Sequence, residues 1–319
     1  LLTGEHDFAP EMRASFRKFL QQQIDESVAQ RPARWARDLS SRSAYEKSVE
    51  ANRERLRRMI GVVDARLKFG APELVATVDR PALIAETTAY TVHAIRWPVL
   101  EGVWGEGLLL EPKGRPVARI VALPDADQAP EMIAGLASGV PPASQFAARL
   151  AAAGCQVIVP VLINRSDEWS GNAAILMTNE PHREWIHRQA FEMGRHLIGL
   201  EVQKVLAAVD WFEQRNAAGS RLPMGVAGYG EGGLIALYSG AVDTRIDGVL
   251  VSGYFDSRQG IADEPIYRDV FGLLAEFGDA ELASLIAPRP LVIEYSAVPT
   301  IVEPPAVRAI VNASAIFAG

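Results

Sequence analysis

The stretch Met224-Gly-Val-Ala-Gly-Tyr-Gly-Glu-Gly-Gly-Leu-Ile-Ala-Leu-Tyr238 constrains the fold more than any other part of the chain. A short apolar run enters a turn in which four of the six residues from Gly228 to Gly233 are glycine, and an apolar helical pattern follows. Glycine reaches positive φ without the Cβ clash that other residues meet, so such a turn can be very tight. A buried strand that turns at once into a buried helix belongs to an α/β architecture.

The flanking pattern agrees. Apolar runs at Ala118–Leu123, Gln156–Leu162, Met224–Ala227, Gly248–Ser252 and Leu291–Tyr295 read as strands covered on both faces. Helical segments are expected near 143–153, 199–215, 232–241 and 279–285. Ahead of them, 88–96 and 103–111 read as an antiparallel pair. The predicted fold is a mostly parallel sheet with helices on both faces, preceded by an N-terminal helical extension over 1–80. The α/β domain is expected over 81–297, with an irregular tail over 298–319.

Within the extension, Met12, Phe16, Phe19, Leu20 and Ile24 recur at helical spacing in 10–30. A second helix is expected over 43–60 with Ser43 as N-cap. Its arginines, Arg53, Arg55, Arg57 and Arg58, read as a solvated face, with contact to an anionic group as the alternative.

Composition narrows the function classes. The chain has 319 residues, 49% apolar and 22% charged, with a net charge of −7. A nucleic acid or anionic membrane partner needs a basic footprint, which this balance does not supply. No apolar run reaches the ~18 residues of a membrane-spanning helix. The lone cysteine, Cys155, lies in a strand pattern and reads as a small core residue. The start at Leu1, with neither methionine nor a signal-like stretch, reads as a processed or trimmed product.

The glycine turn has two chemical readings. A phosphate-cradling loop also joins strand to helix. However, Gly228-Tyr-Gly-Glu-Gly-Gly is neither Gly-x-Gly-x-x-Gly nor a P-loop, and it falls late in the chain. The other reading is the Gly-x-Ser-x-Gly turn of ester hydrolases, here with Gly230 at the serine position. From about residue 85 to 296 the chain resembles the acetyl xylan esterase and dienelactone hydrolase-like branch of the α/β-hydrolases. The matching segments are Gly102-Val-Trp-Gly-Glu-Gly-Leu-Leu-Leu-Glu-Pro, Gly199-Leu-Glu-Val-Gln-Lys-Val-Leu-Ala-Ala-Val-Asp-Trp, the glycine turn, and Ile286-Ala-Pro-Arg-Pro-Leu-Val-Ile-Glu.

The resemblance implies cleavage of acyl esters, often on decorated polysaccharides, by Ser, His and an acid without metal or cofactor. It favours a periplasmic or secreted protein, with small-molecule or carbohydrate esters as partners and further domains in a longer parent chain. The residues depart from that pattern. Gly230 has no hydroxyl. His6, His93, His182, His187 and His196 all precede the turn, whereas the family's histidine follows the last strand. The last strand is therefore expected to be missing, along with its histidine.

The remaining candidates are few. Asp256 and Glu294 compete for the acid role, each with a structural alternative as a loop cap or a strand residue. Glu231 is a candidate base or nucleophile, or else a carboxylate at the positive end of a helix. Its backbone N–H is the expected oxyanion donor. Asp125, Asp127 and Gln128, in the loop after Leu123, would face the same spot, and the two carboxylates would repel an oxyanion unless turned away. Tyr229, Gly230, Trp169 and Trp185 complete the expected substrate walls. His182 and His187 are five apart, not at the spacing of the zinc motif, so no metal site is expected. The chain thus reads as an esterase-like protein lacking the usual Ser and His, with a non-catalytic carbohydrate-binding or scaffold role as the alternative.

Overall fold

The computed structural model describes residues 7–166 and 181–299. The strands are β1 (Glu73–Leu74), β2 (Leu83–Glu86), β3 (Tyr90–Leu100), β4 (Val103–Pro112), β5 (Ala118–Leu123), β6 (Cys155–Pro160), β7 (Met224–Tyr229), β8 (Gly248–Ser252) and β9 (Leu291–Glu294). They form one sheet in the order β1-β3-β4-β6-β5-β7-β8-β9, with β2 on β3. The β3–β4 hairpin and its neighbours pair antiparallel, whereas β5 to β9 pair in parallel. The expected hairpin followed by parallel β-α repeats is therefore present. The short strands β1 and β2 are held by pairing to β3.

The helices are α1 (Ala9–Gln30), α2 (Arg42–Ser48), α3 (Glu50–Met59), α4 (Pro130–Ile133), α5 (Phe146–Ala152), α6 (His182–Glu192), α7 (Leu197–Ala217), α8 (Glu231–Val242) and α9 (Asp279–Ile286). Every residue of α8 is buried, which explains why its sequence shows no polar face. Its neighbours in the core include Val226, Val251, Leu282 and Phe212. Cys155 is buried at the start of β6, as its strand pattern suggested.

Three local readings need correction. The helix expected over 43–60 is broken at Val49 into α2 and α3, and Ser41 rather than Ser43 is its N-cap, accepting from the Ala44 N–H at 3.1 Å. The arginines of α3 are not a uniformly solvated face. Arg53 is 1% exposed and donates to the Ala241 and Leu285 carbonyls, and Arg57 donates to Val242 O at 2.9 Å. Arg55 donates to the Glu276 carboxylate at 2.8 Å. The reason is α8: a fully buried helix leaves its last carbonyls without water, and guanidinium groups supply the missing donors. Arg289 joins them, donating to Gly240 O, Asp243 O and Ile246 O. Finally, the segment from His182 to Arg188, where the sequence pattern placed no helix, is helical in α6.

Candidate functional site

The site is built by the end of β7, the N-terminus of α8 and the loop after β5. Gly230 takes φ 58° and ψ −121°, a conformation that favours glycine. Its N–H donates to Ser252 O at 3.0 Å, which ties the turn to the end of β8. The flanking glycines are set by close approach. A Cβ on Gly228 would stand 2.0 Å from Gly232 O, and one on Gly232 would stand 2.3 Å from Leu123 O. The turn therefore needs small residues on both sides of its apex, whatever chemistry the apex performs.

The apex is covered. A Cβ built on Gly230 would lie 2.3 Å from Asp125 Oδ1 and 2.6 Å from Pro299 Cγ. The same Asp125 oxygen accepts the Glu231 backbone N–H at 2.9 Å. That N–H is the donor expected to receive an oxyanion, and a carboxylate already occupies it. Asp125 is turned toward the donor, not away from it.

Arg165 holds Asp125 in place. Its Nη1 lies 2.7 Å from Asp125 Oδ2 and its Nη2 lies 3.1 Å from Oδ1, a two-pronged pair. The same guanidinium reaches Asp127 Oδ2 at 2.8 Å and donates to the Tyr267 hydroxyl at 3.0 Å. The Asp127 Oδ1 accepts the Arg165 N–H at 2.9 Å. Gln128 Oε1 accepts the Asp125 N–H at 3.2 Å, closing the loop on itself.

Glu231 is fully buried among arginines. Its Oε1 accepts from Arg268 Nε at 2.7 Å and from Arg165 Nη2 at 3.3 Å, and its Oε2 accepts from Arg183 Nη2 at 3.3 Å. Arg183, equally buried, also pairs with Glu201 at 3.1 Å and donates to Ile163 O at 2.7 Å. Asp125, Glu201 and Glu231 thus face Arg165, Arg183 and Arg268, with Asp127, Glu264 and Lys204 also pairing into the cluster. Burial alone would raise the Glu231 carboxyl, but Arg183, Arg268 and Arg165 outweigh it and hold the group below the ordinary carboxylate range. Asp125 is likewise held low by Arg165 against the effect of burial. A carboxylate held this way is a weak base and a weak nucleophile, because attack would remove charge from under three cations.

The other candidates lie apart from this cluster. Asp256 is exposed; its Oδ1 accepts the Ser257 N–H, and its own N–H donates to Asp279 Oδ2 at 3.2 Å. Glu294 ends β9 opposite Ser252. Tyr229 donates its hydroxyl to Ala297 O at 2.9 Å. Trp185 is half-buried on α6, while Trp169 lies outside the described residues. Beside the turn opens a cleft of 590 Å³, whose walls include Gln128, Phe146, Arg149, Tyr229, Ser252 and Glu294. Gln128, Tyr229 and Glu294 thus share one cleft. Among the described residues, the hydrogen bonds of Gly230, Glu231 and Asp125 go to groups other than histidine. His196 Nε2 bonds Asp269 O at 3.0 Å, and His182 Nδ1 lies 2.8 Å from Asn164 Oδ1.

Sequence reasoning missed Arg165, Arg268, Glu201 and Tyr267. They come from separate segments and carry no spacing signal. The one available hint was the burial of Glu231 at the start of an all-apolar helix, which demands cations from elsewhere.

No protein-family model matches the chain, and no curated protein matches it. Solved structures do. A Bacteroides fragilis protein assigned to the acetyl xylan esterases is similar at a TM-score of 0.63 and 15% identity, covering 85% of this chain and 73% of that one. The methylesterase BT1017 is similar at a TM-score of 0.53 and 16% identity, covering 86% of this chain. The chain spans about half of its length, 54%. Acetyl xylan esterase 1 from Thermoanaerobacterium matches at a TM-score of 0.43 and 13% identity, over 84% of this chain and 92% of that one. Sheet order, tight turn and structural likeness together establish that this chain carries the α/β-hydrolase fold.

Proposed function

We propose that this chain is a carboxylic-ester hydrolase-like protein that does not hydrolyse esters, and that it binds a carbohydrate ligand in the cleft beside its closed elbow. The observation that carries this reading is the 2.9 Å hydrogen bond from the Glu231 N–H to Asp125. Acyl transfer needs a nucleophile and a vacant donor for the oxyanion. Here the apex lacks a side chain and the donor is taken by a buried, arginine-held carboxylate. The acetyl xylan esterase and methylesterase names of the structural neighbours suggest an acylated carbohydrate as the ligand class. Hydroxyl, amide and charged groups in the cleft, with Phe146 as an apolar wall, suit a sugar.

A second reading is an active esterase working through an unusual constellation. It draws on the Gly230 backbone, which keeps the positive-φ elbow conformation. One experiment separates the two. The purified chain is assayed against a panel of p-nitrophenyl acyl esters and acetylated xylo-oligosaccharides, and the same oligosaccharides are titrated by calorimetry. Binding without turnover above buffer is expected. Turnover that survives repurification and falls in Glu231→Gln supports the esterase instead. Neither turnover nor binding removes the carbohydrate reading.

A further inference from the structure

His187, on α6, is 4% exposed, yet its Nδ1 has no hydrogen-bond partner. Among the described residues its ring makes aromatic contacts alone, with centroids 5.8 Å from Phe191 and 4.9 Å from His196. Native structures leave few buried polar atoms unpaired, and each one calls for an explanation. Burial lowers the pKa of this imidazole, so it is neutral at neutral pH and keeps one nitrogen as an acceptor.

The ring lines a pocket of 480 Å³ between α6 and residues 266–271. Among the described residues this pocket shares no wall with the cleft beside the elbow. Its apolar sides are Phe191, Ile266, Val270 and Phe271. Phe191 and Phe271 meet edge to face at 6.3 Å between centroids, and both remain open to solvent, at 45% and 80%. A volume of this size takes a single substituted ring.

Charge sets the sign of the ligand. Asp269 and Glu192 also line the pocket, and among the described residues neither forms an ion pair. The cations nearby are committed: Arg188 pairs with Glu184 at 2.6 Å, and Arg258 with Glu264 at 3.4 Å. Desolvation outweighs Arg258 and pushes the Asp269 carboxyl up to about 6, so at neutral pH it is mostly an anion. His196 joins the two sides of the pocket: its ring packs on His187, and its Nε2 donates to Asp269 O at 3.0 Å.

We infer that this pocket is a second ligand site, and that it takes a small primary ammonium ion carried on an aromatic body. An ammonium has three N–H donors. The His187 ring and the Asp269 carboxylate accept two of them, and the body lies against Phe191 and Phe271. The face of Phe191 adds its attraction for the cation. An anionic ligand meets two carboxylates here, and a neutral alcohol leaves both without a counter-charge.

The test is calorimetric titration of the full chain at neutral pH with phenethylamine, phenethyl alcohol and hydrocinnamate. Their bodies are alike, and their heads are positive, neutral and negative. Saturable binding of the amine at one site is expected, with the alcohol roughly tenfold weaker and no binding of hydrocinnamate. Asp269→Asn and Phe271→Ala alter exposed side chains, so the melt of the free protein should stay unchanged while each weakens the amine by roughly tenfold. His187→Phe keeps a ring without its nitrogens and should weaken the amine as well. Amine affinity unchanged in any of the three variants overturns the inference. So does an alcohol that binds as tightly as the amine, or no saturable heat from any of the three compounds at millimolar concentration.

Discussion

The carboxylate of Asp125 accepts the backbone N–H of Glu231 at 2.9 Å, and a Cβ on Gly230 would meet that same oxygen at 2.3 Å. The two facts are coupled. A side chain at the apex and a carboxylate on the donor compete for one space.

Gly230→Ser is expected to give no esterase activity and to lower stability. The residue needs φ 58°, and backbone strain of this kind costs about 1–3 kcal/mol. The clash with Asp125 adds to it. Urea unfolding of Gly230→Ser, Asp125→Ala and the double variant measures the coupling. The serine should cost less when Asp125 is already gone; strictly additive losses would show that the two do not compete.

Glu231→Gln removes the carboxylate shared by Arg165, Arg183 and Arg268 while leaving all three buried. Breaking a buried ion pair from one side costs about 3–5 kcal/mol. A lowered midpoint with an unchanged denaturant slope is the expected result. Because the folded-state carboxyl is held below its ordinary value, its contribution is present at neutral pH and is lost as pH falls below the ordinary range. A variant as stable as the parent at pH 7 refutes the structural role assigned to Glu231.

Acid sensitivity is also expected from His196. Its Nδ1 accepts the Ile198 N–H at 3.0 Å as the N-cap of α7, so its Nε2 carries the proton bound to Asp269 O. Burial, with His187 beside it at 4.9 Å between ring centroids, pushes it down to about 3. A proton on Nδ1 would point at another N–H. The unfolded chain takes up that proton near pH 6.5 and the folded chain does not, so stability falls as pH drops from about 6.5 toward 3, by up to ~1.4 kcal/mol per pH unit. His196→Asn keeps a capping oxygen and should flatten this part of the profile. An unchanged profile in that variant would rule His196 out as its source.

Arg53→Met leaves the Ala241 carbonyl without its guanidinium donor, while Leu285 O keeps Arg289 Nη2 at 3.1 Å. A buried polar group without a partner costs about 1–3 kcal/mol, and a loss of that size is expected. Hydrogen exchange should show the last turn of α8 opening before the rest of the helix. Uniform exchange along α8 would mean that the arginine does not anchor that end.

The sheet was legible because β5 to β9 are apolar on both faces, and the elbow was legible because close backbone approach leaves glycine no substitute at Gly228 and Gly232. The break at Val49 was not, since α2 and α3 meet at a residue with no breaker chemistry. Nor was the burial of Arg53. A run of arginines looks the same whether it faces water or the carbonyl end of a helix 188 residues away. The site was half legible. Sequence spacing located Gly230, Glu231 and Asp125, but Arg165, Arg183 and Arg268 converge only through tertiary folding.

The Asp125–Arg165–Glu231 contact also bears on how such a chain could change. A serine introduced at the apex meets the aspartate, and an aspartate removed first leaves Arg165 without its two-pronged partner. Each single step that would open the elbow therefore runs through a less stable intermediate. The two states of the elbow, open to acyl chemistry or sealed by charge, are separated by a valley in sequence space that only coordinated replacements cross.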